Sequence, residues 1–153
     1  MQVIKEICRR DSRYHPRSYV FVLEALDYTG KKLNKHALEG AERHVSGGEL
    51  LEGIRAYALE QFGPMALTVL DNWGVRTTED FGEIVFNLVE AGKLRKTDQD
   101  NRKDFVHGYN FREAFTRPFL PDQTEPCMLV TDRKQKSKKK VKRKGTRDDG
   151  RKE

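Results

Sequence analysis

Residues 46–92, SGGELLEGIRAYALEQFGPMALTVLDNWGVRTTEDFGEIVFNLVEAG, constrain the fold more than any other stretch, because glycine and proline divide them into three short helical segments. Ser46 followed three residues later by Glu49 spells a capping box, in which the hydroxyl and the carboxylate each satisfy a backbone N–H left unpaired at a helix start. Leu50, Leu51, Ile54, Tyr57, Ala58 and Phe62 then recur at the spacing that lines one helical face. Gly63 ends this helix, and Pro64, unsuited to a helix interior but well suited to a first turn, opens the next. Met65, Leu67, Val69, Leu70 and Trp73 belong to that second helix, which Gly74 stops. Thr77 with Asp80 opens a third, where Phe81, Ile84, Val85, Leu88 and Val89 form the apolar stripe and Gly92 supplies the C-terminal left-handed residue.

The flanks are less regular. Val3, Ile4, Ile7 and Cys8 make a short apolar stripe that predicts a docking helix. After Pro16, RSYVFVLEAL fits either a strand or a helix by pattern; Glu24, Ala25 and Leu26 favour helix, and an element apolar on nearly every side should be the buried centre of the domain. Residues 30–45 are polar with two glycines and read as a long surface loop with a turn near 36–41. Beyond Gly92 the period changes: KLRKT and RKDFV, around DQDN, read as a β-hairpin. Helices followed by a hairpin predict a mainly α, winged-helix-like domain over residues 1–125, with 64–73 and 78–91 as the helix-turn-helix pair. Phe105, Tyr109, Phe111, Phe115 and Phe119 are expected to close its core, with a base-stacking platform as the functional alternative.

Charge separates this domain from the C-terminal segment. Residues 132–153 hold twelve Lys or Arg against four Asp or Glu, a balance of +8 in a chain whose total is +6, so residues 1–131 carry −2. A segment so basic and so poor in apolar residues cannot offset the entropy of ordering, and residues 126–153 are expected to be a disordered tail. Its run KSKKKVKRK, residues 136–144, places Lys138, Lys139, Lys140, Lys142, Arg143 and Lys144 where they could neutralise phosphates of RNA, the ribosome or DNA without reading sequence. A solubilising tail, with a protein partner for the domain, is the alternative. No apolar run approaches the roughly 18 residues of a membrane span, MQVIKEICRR is too charged for a secretory signal, and a cytoplasmic location is expected. Cys8 and Cys127 have neither zinc nor disulfide-framework spacing.

Other candidates are weaker. The third helix presents Glu79, Asp80, Glu83, Asn87 and Glu90 opposite its apolar stripe, and carboxylates there would repel a phosphate backbone. Phe86, just off the stripe, suits either a protein contact or packing against residues 17–28. Arg95 and Lys96 on the expected hairpin could touch phosphate, although mixed charge there also discourages strand pairing. Asp80, Phe81 and Gly82 match a kinase motif by coincidence, since no glycine-rich loop or catalytic-loop sequence accompanies them. His15, His36, His44 and His107 are scattered, no pair with zincin spacing exists, and His44 is placed to orient the Ser46 helix start. No catalytic residue, metal site or cofactor is read from the chain.

Taken together, YHPRSYVFVLEAL, HVSGGELLEGIRAYALEQFGPMALTVLDNWGV, TTEDFGEIVFNLVEAGKL and DFVHGYNFREAF resemble a family of small conserved hypothetical proteins found mainly in planctomycetes and verrucomicrobia. The likeness spans residues 14–119. It implies a bacterial cytosolic setting and carries no functional residue across. The expectation is a non-catalytic binding module associating with nucleic acid or ribonucleoprotein through its tail.

Overall fold

A computed structural model describes residues 2–38, 44–95 and 100–121. The expected disorder of residues 126–153, the six basic residues of the 138–144 run, and Lys96 all lie outside the described residues. The fold is mainly helical: α1 (Gln2–Arg10), α2 (Pro16–Lys32), α3 (Gly47–Phe62), α4 (Ala66–Asn72), α5 (Thr78–Glu90) and α6 (Phe111–Thr116), joined by short 3-10 turns.

The ambiguous segment after Pro16 is the helix α2, and it is the buried centre, flanked by α1, α3 and α5. Its start is capped by the ring of His15, whose Nδ1 accepts from the amide of Arg17 at 3.2 Å. Tyr19, Val22 and Ala25 are fully buried and Phe21 nearly so, each large side chain contributing about 1.5–3 kcal/mol by leaving water. Where α2 meets α3, two small groups set the separation. A Cβ on Gly53 would lie 1.7 Å from Thr29 Oγ1 and 2.8 Å from Thr29 Cβ, so the helices approach as closely as a glycine permits. Thr29 is nonetheless satisfied, because its hydroxyl donates to the Ala25 carbonyl at 2.6 Å.

The boundaries expected over residues 46–92 are present. Ser46 and Glu49 form their capping box, with Ser46 N donating to Glu49 Oε2 at 2.8 Å and Glu49 N to Ser46 Oγ at 3.3 Å. Gly63, Gly74 and Gly92 all adopt positive φ at helix ends. Pro64 sits in a 3-10 turn, Gly63–Met65, that leads into α4 rather than at the first position of α4 itself. Phe21 of α2 gathers Tyr57, Phe62 and Trp73 around it, with ring centroids 5.4, 5.7 and 5.6 Å away. This aromatic group fastens the α3–α4 corner to the central helix. Ile4 and Ile7 of α1 are buried, and burial raises the Cys8 thiol above its ordinary value.

Two expectations are corrected. Residues 30–32 continue α2 and residues 35–37 form a 3-10 turn, so the long loop expected over 30–45 is shorter at its start. The expected hairpin is absent: no strand occurs among the described residues, and Arg102–Phe105 is a 3-10 turn where the second strand was placed. The reason lies in Asn101 and Asp104, which make another reciprocal cap. Asn101 Oδ1 accepts from Lys103 N at 3.2 Å, and Asp104 Oδ2 accepts from Asn101 N at 3.1 Å. The turn also delivers Phe105 into a notch between two glycines. A Cβ on Gly82 would lie 2.9 Å from Phe105 Cβ, and one on Gly47 would lie 3.3 Å from its ring. Helices α4 and α5 stand where the helix-turn-helix pair was expected, without strands to form a wing among the described residues.

The Gly53 contact is directly testable. Gly53→Ala gains helix propensity, yet it should lower the unfolding free energy by about 1–3 kcal/mol through overpacking against Thr29. Adding Thr29→Ala should recover part of the loss. An unchanged denaturation midpoint for Gly53→Ala would contradict the close approach.

Candidate functional site

The polar face of α5 is the first place to look, because it would read DNA if the helix-turn-helix pair served that purpose. Its polar residues are largely occupied by the protein itself. Asp80 accepts from the amides of Arg76 and Thr77 at 2.9 and 3.0 Å and from the Tyr14 hydroxyl at 2.8 Å. Glu79 accepts from the His107 amide at 3.2 Å. Glu83 pairs with Arg13 at 3.3 Å on one side and with Arg102 at 3.0 Å on the other. Asn87 donates to Asp11 at 3.1 Å and to the Tyr19 hydroxyl at 3.3 Å. Two segments, residues 11–14 and 102–107, therefore bracket the helix along its length, while Glu90 stays exposed at its end.

Within this network Asp11, like Asp80, accepts four hydrogen bonds. Its carboxylate takes the Arg13 side chain at 2.9 and 2.7 Å and the Arg13 amide at 3.1 Å. Those bonds, led by the Arg13 side chain, hold it down at about 2 against an ordinary 3.8. Tyr14 moves the other way: its burial, and its hydrogen bond to Asp80, raise the phenol well above its usual range. The Asp80, Phe81 and Gly82 triplet has three structural roles. Asp80 caps α5, Phe81 is fully buried with its ring 5.6 Å from Phe111, and Gly82 admits Phe105.

The aromatic residues near the end of the domain divide in the same spirit. Phe105, Phe111 and Phe115 are buried, and Phe111 and Phe115 meet edge to face at 5.2 Å. Tyr109 is half-buried and its hydroxyl donates to the Leu51 carbonyl at 3.1 Å. These four are core, as the sequence pattern suggests. Phe119 alone of the five is exposed, at 45 %, beside Leu120 at 58 %.

The second feature is a cleft of about 380 Å³ between α2, α3 and α5. Its floor is apolar, with Leu23 and Leu26 from α2, Leu50 from α3, and Val85, Phe86 and Val89 from α5. Phe86 lines this cleft, with the Arg102 guanidinium 4.8 Å from its ring centroid. The rim is charged. Lys35 Nζ donates to the His44 carbonyl and to Glu49 Oε2, both at 2.7 Å, and lowers the Glu49 carboxyl below its ordinary value. His44 Nε2 lies 3.0 and 2.8 Å from the two oxygens of Asp100. His44 therefore does stand at the Ser46 helix start, but Lys35 makes the connection to the cap. Sequence reasoning missed Lys35, although a lysine eleven residues before a capping box offers no local pattern to find.

Arg95 also stands at this rim, exposed, and it makes no hydrogen bond or ion pair with a described residue. Among the described residues no three His, Cys, Asp or Glu side chains gather to hold a metal ion, and no helix is long and apolar enough to cross a membrane. Compared with family models, curated proteins and solved structures, the chain matches none.

The bracket around α5 has a pH signature. The folded Asp11 carboxyl lies below its unfolded value, so the unfolded chain takes up this proton first as pH falls. Its stabilisation is present above about pH 4 and is lost progressively toward pH 2. Asp11→Asn should flatten that part of the stability profile measured by denaturant titration. A variant with the same acid limb as the parent would contradict the assignment.

Proposed function

We propose that the chain is a non-catalytic binding module that associates with RNA, DNA or a ribonucleoprotein through Lys138, Lys139, Lys140, Lys142, Arg143 and Lys144. The observation that carries this reading is the separation of charge. Residues 132–153 bear +8 while residues 1–131 bear −2. The bracketed, acidic face of α5 supports the same division, since Glu79, Asp80 and Glu83 are engaged by neighbouring loops and offer a phosphate backbone no attraction. On this reading α4 and α5 are structural helices of a winged-helix-like arrangement without a DNA-reading role. The resemblance of residues 14–119 to the planctomycete and verrucomicrobial proteins supports a bacterial cytosolic setting.

A protein partner for the folded unit is the second reading, carried by Phe119 and Leu120. They stand exposed next to one another where the compact unit Met1–Pro121 ends. It differs from the first in making the basic segment an incidental, solubilising tail.

The test is a salt titration of binding to single-stranded RNA and duplex DNA by the full chain. If each of the six residues neutralises one phosphate, log affinity should fall against log salt with a slope of about −4 on RNA and about −5 on duplex DNA. Replacing all six by Gln in the full chain should remove that dependence and most of the affinity. Retention of both by the substituted chain would overturn the assignment and direct attention to Arg95 and Lys96.

A further inference from the structure

The cleft between α2, α3 and α5 has the make-up of a ligand site, and it owes nothing to the basic segment. Its volume of about 380 Å³ falls in the range of about 300–1,000 Å³ typical of small-molecule pockets. Such sites combine an apolar lining with a few polar groups that fix orientation. Here the apolar part runs from Leu23 and Leu26 to Val85 and Val89, with Phe105 beneath. An apolar body lying along this lining would leave water on the side that it turns to the helices.

The rim decides the other end of the ligand. Four charged residues besides His44 reach the cleft, and three of them are engaged: Asp27 with Lys31 at 2.5 Å, Asp100 with His44, and Lys35 with Glu49. The acidic groups therefore have cationic or imidazole neighbours already. Arg95 has no counterpart among the described residues. A planar guanidinium at the mouth of an apolar cleft matches a carboxylate, which it can hold through two parallel N–H donors.

We infer that this cleft binds an amphipathic carboxylate, with its apolar body between α2 and α5 and its carboxylate at Arg95. An uncharged analogue would keep the burial and lose the charged contact. A cationic analogue of the same length would keep the burial and meet Arg95 as repulsion.

The experiment is calorimetric titration of the full chain with decanoate, decanol and decyltrimethylammonium, each below its micelle concentration. Decanoate should bind saturably at one per chain, about three- to tenfold more tightly than decanol, with the ammonium weakest. Arg95→Gln, at an exposed position, should bring decanoate to the decanol level and leave decanol unchanged. Val89→Phe, which narrows the cleft, should weaken both. Equal affinity for the three compounds, an unaffected Arg95→Gln variant, or the absence of saturable decanoate binding would each overturn the inference.

Discussion

Gly53 allows α3 to lie against Thr29 of α2, and the rest of the folded unit is arranged around the helix that this contact holds in place. A helix that is apolar on nearly every side must find partners on every side. In α2 the partners are α3 across Thr29 and Gly53, the Trp73 corner across Phe21, α5 across Tyr19, and α1 beside it. Small residues at the tightest crossing let large ones such as Tyr19, Phe81 and Phe115 fill the remaining space. The same device recurs where Phe105 enters between Gly47 and Gly82, which ties the start of α3 to the middle of α5.

That packing has a consequence for charge. With its apolar stripe against the core, α5 turns its carboxylates outward, and on an isolated helix they would face water. In this unit the segments before α2 and before α6 fold over them. Arg13 and Arg102 approach Glu83 from opposite sides, Tyr14 reaches Asp80, and the His107 amide reaches Glu79. The carboxylates thereby become fasteners for two loops. Exposed ion pairs contribute little individually, about 0–1 kcal/mol, so the value of this arrangement lies in its connection to buried partners such as Tyr19 and Tyr14. The strongly positive part of the chain lies elsewhere, in residues 132–153.

Local rules made much of this legible. Caps and breakers act over three or four residues, which is why the ends of α3 and α5 could be read from Ser46, Glu49, Thr77, Asp80 and the glycines. Where the sequence pattern misled, a distant contact or an overlooked local one decided the outcome. The expected hairpin failed because Asn101 and Asp104 form a cap of the same kind as Ser46 and Glu49, a signal present in the sequence and obscured by the surrounding turn residues. The seat of Phe105 depended on Gly47 and Gly82, which are far away along the chain. The cleft was not legible at all. Leu23 and Val85 read as ordinary core and Leu94 as part of the expected hairpin, and only the separation of three helices creates the space between them. Lys35 likewise gains its role from the chain returning at His44 and Glu49.

If the acidic helix of the folded unit is closed to nucleic acid, contact with phosphate belongs to the basic segment. Residue-resolved amide NMR of the full chain, recorded while a short single-stranded RNA is added, tests it most directly. The expected shifts are confined to residues 132–153, with the amides of α5 and of residues 11–14 unmoved. Shifts along α5, or in the 102–107 turn that covers it, would contradict the account.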